Sequence, residues 1–140
     1  MPLTYVSGDP LLTQQQVLAF AINAAGRTET YPLATALLTR YPAAFSTYNK
    51  QCRQGKITPG MMWFWRETKP ALAFMVVRET PVGATRLRFV ESVILTLARD
   101  YRLENIRSVA IAPLGAAHEA DAIREVLDRW LVKPALPVIA

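Results

Sequence analysis

The sequence predicts an α/β domain, a three-layer α/β/α sandwich around a mixed, mainly parallel sheet of about six strands. Continuous apolar runs of strand length, such as Val17–Asn23 and Ala71–Val77, recur along the chain. Such runs are typical of strands buried on both faces. Segments with apolar residues at helical spacing lie between them, which is the alternation of a layered α/β domain. The length of 140 residues suits one domain, residues 1–140.

The first half of the chain alternates strand and helix signals. Turn residues follow the first strand at Gly8-Asp9-Pro10, and a polar loop follows the second at Ala24–Pro32. The next two segments are separated by Pro42, and the second of them ends at a glycine, as helices commonly do. The predicted elements are strand Leu3–Ser7, strand Val17–Asn23, helix Leu33–Tyr41 and helix Pro42–Gly55.

The second half begins with two strands on either side of a Glu67–Pro70 turn, which suggests a hairpin. Two amphipathic helices follow, each with an apolar stripe that predicts packing on the sheet. The aromatic run Trp63–Trp65 is interpreted as core and edge packing, with a stacking platform as the alternative. The predicted elements are strand Met61–Trp65, strand Ala71–Val77, helix Arg86–Arg102, strand Ile106–Ala112, helix His118–Val132 and strand Leu136–Ala140.

Composition excludes several classes of protein. A hydrophobic fraction of 51% and a charged fraction of 19% are not those of a disordered chain. One cysteine, Cys52, and one histidine, His118, leave no intrachain disulfide and no multi-cysteine or multi-histidine metal site. No apolar run is long enough to span a membrane, and the N-terminus lacks the pattern of a signal peptide. We therefore expect a cytoplasmic protein with no membrane partner, no metal and no cofactor.

The chain carries 16 Lys and Arg against 11 Asp and Glu, a net charge of +5. This excess favours anionic partners such as nucleotides or nucleic acid. The positive residues are scattered along the sequence without a basic block, which is more typical of a solvated surface. The net charge therefore leaves open both an anionic partner and a merely solvated surface.

Polar residues in the loops after the strands are the candidates for chemistry, because ligands of such sheets bind beyond the carboxyl ends of the strands. Asp9 either caps a short helix or faces a ligand, and Asn23 either bonds the neighbouring loop or faces a ligand. The turn Pro113–Asp121 could bind an anion through its amides, although any strand–helix turn looks similar. His118 and Glu119 lie on its rim, and Arg78 and Glu79 end a strand as a possible surface pair.

No P-loop, GxGxxG, GxSxG or metal-ligand spacing occurs, so the large enzyme classes that carry these motifs are excluded. A Ser-His-Asp triad would have to use His118, and no serine has the sequence context of a nucleophile elbow.

The order of these segments nevertheless resembles macro domains over essentially the whole chain. The resemblance rests on three segments: Gly8-Asp9 after a strand, Ile22–Ala25 at the end of the next strand, and Val109–Gly115 before the last helix. The stretch Arg40–Trp65 is similar to a "FP…Y…C…G…PG" segment of one subgroup. That subgroup comprises the DNA ADP-ribosyl glycohydrolase antitoxins and terminal ADP-ribose protein glycohydrolases.

The resemblance implies that ADP-ribose, free or attached to DNA or protein, binds in a cleft above the strand ends. Asp9 matches the acid that accepts from the adenine amino group, and Asn23 matches the asparagine near the distal ribose. The backbone amides of Leu114, Gly115, Ala116 and Ala117 match the turn that cradles phosphate. In the enzymes of the subgroup, a bond from the distal ribose to a base or carboxylate is cleaved.

Several matched positions depart from the family pattern. The glycine-rich loop is replaced by GRTETYPL at Gly26–Leu33, where Tyr31 and Pro32 would crowd the pyrophosphate. The subgroup's catalytic lysine matches Arg78, and its aspartate matches Glu119. Arginine cannot act as a nucleophile because it stays protonated. We therefore expect recognition of ADP-ribose with weak hydrolysis at most, through water and Glu119 or His118. The alternative is a degenerate macro-like interaction module that does not bind ADP-ribose.

Overall fold

The computed structural model describes residues 3–27, 29, 31–81 and 85–140. Within these ranges six strands form one sheet between two layers of helices. The strands are β1 Leu3–Thr4, β2 Val17–Asn23, β3 Met62–Trp65, β4 Ala71–Arg78, β5 Val109–Ile111 and β6 Val138–Ile139. The helices are α1 Pro32–Arg40, α2 Pro42–Arg53, α3 Leu87–Asp100 and α4 Ala120–Leu131, with 3₁₀ turns at Pro10–Leu12 and Ala117–Glu119.

The strand order is β1-β6-β5-β2-β4-β3, and every neighbouring pair is parallel except the antiparallel β3–β4 edge. The predicted mixed, mainly parallel sheet and its predicted hairpin are both confirmed. The three runs expected to be central, β2, β4 and β5, are hydrogen-bonded neighbours, with Val17 opposite both Ala71 and Val109.

The core lies on both faces of the sheet because side chains alternate along each strand. Val17, Ala19 and Ala21 of β2 pack towards α3 and α4, whereas Leu18 and Phe20 pack towards α1 and α2. All seven residues of β2 are buried, which explains why the sequence of this strand is apolar without alternation.

An aromatic cluster fills the α1–α2 side of the core. Phe74 of β4 contacts Phe20, Phe45 and Tyr48, with ring centroids 4.7–5.1 Å apart. Trp63 of β3 meets Phe74 edge-on at 5.1 Å. Trp63 therefore contributes to packing at the sheet edge, as predicted.

Three strands, β1, β5 and β6, are shorter than predicted because their ladders extend over only two or three residue pairs. Leu3 and Thr4 pair with only two residues of β6, and β5 pairs over Val109–Ile111. The predicted helix His118–Val132 is also interrupted, since a 3₁₀ turn at Ala117–Glu119 precedes α4.

Within the ranges that the structure describes, no helix is both long and apolar enough to cross a membrane. In the same ranges no group of three or more His, Cys, Asp or Glu side chains is placed to hold a metal ion.

Candidate functional site

Two adjoining cavities, each of about 620 Å³, open above the carboxyl ends of the parallel strands. They share Gly8, Pro10 and Pro113, so together they form one groove, here called the cleft. Glu29, Tyr31, Arg78 and the turn at residues 113–116 line one half, and Asp9 with the ends of β5 and β6 lines the other. The cleft is therefore where sheets of this kind bind ligands.

The floor of the first half holds a buried ion pair. Arg78, the last residue of β4, places Nη2 2.8 Å from Oε1 of Glu29, and the two side chains are 10% and 4% exposed. Nη1 of Arg78 donates to Oγ1 of Thr85 at 3.0 Å. The interpretation of Arg78 and Glu79 as a surface pair is wrong, because Arg78 turns inward to Glu29 while Glu79 stays exposed.

Asn23 is fully buried beside this pair and is engaged by its own loop. Its Nδ2 donates to the Arg27 carbonyl at 2.9 Å and to Oε1 of Glu29 at 3.0 Å. Its Oδ1 accepts from the Arg27 amide at 3.4 Å. Of the two roles predicted for Asn23, the structure shows the hydrogen bonds to the neighbouring loop. Asn23 is linked to the cleft by its hydrogen bond to Glu29, which lines the cavity.

Tyr31 forms part of the wall of the cleft. Its hydroxyl donates to the carbonyl of Ala21 in β2, and the Arg78 guanidinium carbon lies 6.0 Å from its ring centre. Burial raises the pKa of this phenol well above its usual range, with the Glu29 charge as the second cause. The ring is thus a neutral, fixed surface of the cleft, in the loop where the sequence predicts crowding of a pyrophosphate.

The turn after β5 is only partly open to an anion. Oε1 of Glu119 accepts the Ala116 amide at 2.7 Å, so the carboxylate occupies one of the amides expected to cradle phosphate. A Cβ on Gly115 would lie 2.7 Å from that same oxygen and 2.8 Å from Cδ1 of Ile123. Leu114 is buried, and its carbonyl faces Oγ1 of Thr85 at 3.4 Å.

Asp9 lies in the second half of the cleft. Its Oδ1 accepts the Leu11 amide at 3.0 Å and so caps the Pro10–Leu12 turn. The side chain is exposed and its other oxygen is available to a ligand in the same cavity. Capping and ligand binding are therefore compatible at this residue.

His118 and Ala117 are exposed. His118 lines the same cavity as Glu29 and Arg78, whereas Ala117 lines neither half of the cleft. The structure thus brings Tyr31, Arg78, Gly115, Ala116, His118 and Glu119 to one cavity and Asp9 to the adjoining one. Sequence reasoning missed Glu29, which lies in a polar loop. The signal in the sequence was an acidic residue six positions after Asn23, and this spacing is not specific to a binding site.

Comparison with known proteins gives the same fold. No protein-family profile matches the chain. A DNA ADP-ribosyl glycohydrolase from Mycobacterium tuberculosis is 30% identical over 122 residues, covering 83% of this chain and 34% of the relative. The chain thus spans about a third of the length of the curated relatives that it matches.

Solved structures of macrodomains have the same fold as this chain. The macrodomain of Mycobacterium tuberculosis DarG superposes with a TM-score of 0.88 and 24% identity, over 98% of this chain and 95% of that one. Thermosipho africanus DarTG in complex with ADP-ribose gives a TM-score of 0.89 and 20% identity, over 98% of this chain and 40% of that one. The chain therefore has the macro domain fold, and its sequence is similar to that of DNA ADP-ribosyl glycohydrolases.

Proposed function

We propose that this chain recognises ADP-ribose, either free or as the ADP-ribosyl group of a modified macromolecule. The observation that carries the proposal is the continuous cleft, with the Asp9 carboxylate at one end and the buried Arg78–Glu29 pair at the other. A carboxylate acceptor suits the exocyclic amino group of adenine, because that group is a donor. Pro113 borders both halves of the cleft, and the turn at residues 113–116 suits the diphosphate.

The ion pair supports placing the distal ribose, rather than a phosphate, at the far end of the cleft. The Glu29 carboxylate cancels the Arg78 charge and would repel a phosphate brought against it. Oε1 of Glu29 is engaged by Asn23 and Arg78. A carboxylate has a second oxygen, and sugar hydroxyls are the donors that such an oxygen accepts.

We propose further that hydrolysis, if it occurs, is slow. The guanidinium of Arg78 presents only donors and stays protonated, so it cannot attack the anomeric carbon. The carboxylate of Glu119 is engaged with the Ala116 amide. The relatives named DNA ADP-ribosyl glycohydrolase make ADP-ribosylated DNA the first substrate to assay.

Calorimetric titration with ADP-ribose tests the proposal. We expect binding, and we expect Asp9→Ala to weaken it by about 1–3 kcal/mol, the cost of losing a hydrogen bond to a charged group. Asp9→Asn keeps an acceptor for the Leu11 amide and controls for loss of the cap. Ribose 5-phosphate lacks adenine, so its binding should be unchanged in Asp9→Ala.

The second candidate is an interaction module that has lost ADP-ribose. Two observations favour it, the Tyr31 ring in the cleft wall and the Glu119 carboxylate on the Ala116 amide. Absence of binding to ADP-ribose, ADP and AMP by the wild-type chain would support this candidate against the first.

A further inference from the structure

The charges of the molecule are divided unevenly between its two helical layers. No Asp or Glu occurs between Glu29 and Glu67, a segment that contains Arg40, Lys50, Arg53, Lys56 and Arg66. This segment builds α1, α2 and β3, and therefore the whole α1–α2 layer. Acidic residues are interspersed with the arginines of α3 and α4, where Glu91, Glu125 and Arg129 form ion pairs. The positive excess thus lies on one side of the sandwich.

Three cationic side chains of this layer lie where α2 ends: Lys50 and Arg53 are in its last turn, and Lys56 follows it. The loop after β2 packs on α2 at this point, since a Cβ on Gly26 would lie 2.9 Å from Cβ of Cys52 and 3.4 Å from Oδ1 of Asn49. The same loop continues into Glu29 and Tyr31, which line the cleft. We call the exposed set Arg27, Lys50, Arg53 and Lys56 the α2 basic face.

The charges of the α2 basic face are not neutralised within the fold. Among the ion pairs of the described residues, none includes a member of this set. Glu29, the nearest acid in sequence, is engaged by Arg78. The backbone of Arg27 is fixed by two hydrogen bonds to Asn23 while its side chain is exposed. The surface therefore offers exposed cations without an ion-pair partner among the described residues, next to the loop that continues into the cleft.

We infer that the α2 basic face binds the phosphate backbone of a nucleic-acid strand whose ADP-ribosylated base enters the cleft. This inference rests on the proposed recognition of the ADP-ribosyl group and adds the surface that holds the strand outside the cleft. Phosphate contacts need cations and polar side chains, and Asn49, Gln51 and Gln54 lie among the cations. Such contacts position a strand without reading its sequence.

The composition of the surface favours nucleic acid over a protein partner. Stable protein interfaces have an apolar centre with aromatic or aliphatic anchors. The large hydrophobic residues that the structure leaves exposed are Val6, Leu12, Leu87, Leu95, Leu103 and Val132, none of which belongs to α2 or the loop after it. A basic surface without an apolar anchor fits a polyanion.

Fluorescence anisotropy with an unmodified, labelled single-stranded DNA of about 12 nucleotides tests the inference. The variant is Lys50→Gln/Arg53→Gln/Lys56→Gln. The matched control is Arg102→Gln/Arg107→Gln/Lys133→Gln, which removes the same charge from exposed positions outside the α1–α2 layer. We expect the variant to weaken binding by ~10-fold or more at low salt and the control by less than ~2-fold. The slope of log K against log salt should fall by about 2 in the variant.

Three outcomes would overturn the inference. If both triple variants lose DNA affinity equally, binding depends on net charge alone. If both retain the affinity of the wild type, the strand binds to another surface. Displacement of the DNA by polyglutamate as readily as by unlabelled DNA would reduce the surface to a general anion site. Titration of both variants with ADP-ribose separates the two proposals, because its binding should be unchanged. Failure of the wild type to bind ADP-ribose would refute the proposed function, whatever the DNA measurement gives.

Discussion

Arg78 and Glu29 meet in the floor of the cleft, with Nη2 of the guanidinium 2.8 Å from Oε1 of the carboxylate. They are 49 positions apart in the sequence and come from the end of β4 and the loop after β2. The pair makes this buried position an internally neutral contact. It also ties together Asn23, Thr85 and the turn after β5.

Removal of one partner of this pair should destabilise the fold. We expect Arg78→Met to lower the free energy of unfolding by about 3–5 kcal/mol, because it leaves the Glu29 carboxylate buried without its counter-charge. The double variant Arg78→Met/Glu29→Gln should recover most of that loss. Urea denaturation measures both, and Arg129→Met, which breaks an exposed pair, should cost less than about 1 kcal/mol. Equal costs at the two sites would refute the assigned role of burial.

Turnover should depend on the identity of the side chain at position 78. We expect wild-type protein to release ADP-ribose from ADP-ribosylated DNA slowly or not at all, and Arg78→Lys to gain activity, because an amine can lose its proton and attack carbon. The assay follows release of ADP-ribose, with Arg78→Met as the control. Rapid wild-type turnover that survives Arg78→Met but is lost in Glu119→Gln would instead indicate a water route through Glu119.

Glu119 should compete with the ligand for the Ala116 amide. If a phosphate of ADP-ribose takes that amide, Glu119→Ala should tighten binding by roughly fivefold, equivalent to about 1 kcal/mol, because the competing acceptor and its negative charge are removed. Calorimetry with ADP-ribose measures the change. Weaker binding in Glu119→Ala would show that Glu119 contacts the ligand rather than competing with it.

Stability should fall at alkaline pH. Burial raises the pKa of Tyr5 to about 12, and it also raises those of Tyr31 and Tyr48. The unfolded chain releases these protons near the ordinary value of 10.0, so unfolding releases protons above that pH and the free energy of unfolding declines there. Urea midpoints at about pH 8 and about pH 11 should differ, and the decline should be smaller in Tyr5→Phe. A flat profile would contradict this account.

The sequence predicted the parts of the fold that depend on local patterns. The bounds of β2 are those expected, because a strand buried on both faces leaves an uninterrupted apolar run. The lengths of β1, β5 and β6 were overestimated, since the length of a strand depends on how much partner strand the fold supplies. Glu29 was missed because its role depends on Arg78, and nothing local in a polar loop indicates a partner so distant in sequence. Asp9 and the turn at Gly115 were predicted to lie above the strand ends because each is in a loop after a predicted strand, and the structure places them at the two halves of the cleft.

The buried hydroxyl of Tyr48 donates to the carbonyl of Asn23 at 2.7 Å, so the middle of α2 is bonded to the residue that ends β2. Asn23 in turn holds Arg27 and Glu29. The cleft floor and α2 are thus joined by a chain of hydrogen bonds, and a ligand that rigidifies one should slow amide hydrogen exchange in the other. Binding of a ligand in the cleft should therefore be detectable as slower amide exchange in α2, although the ligand does not touch that helix.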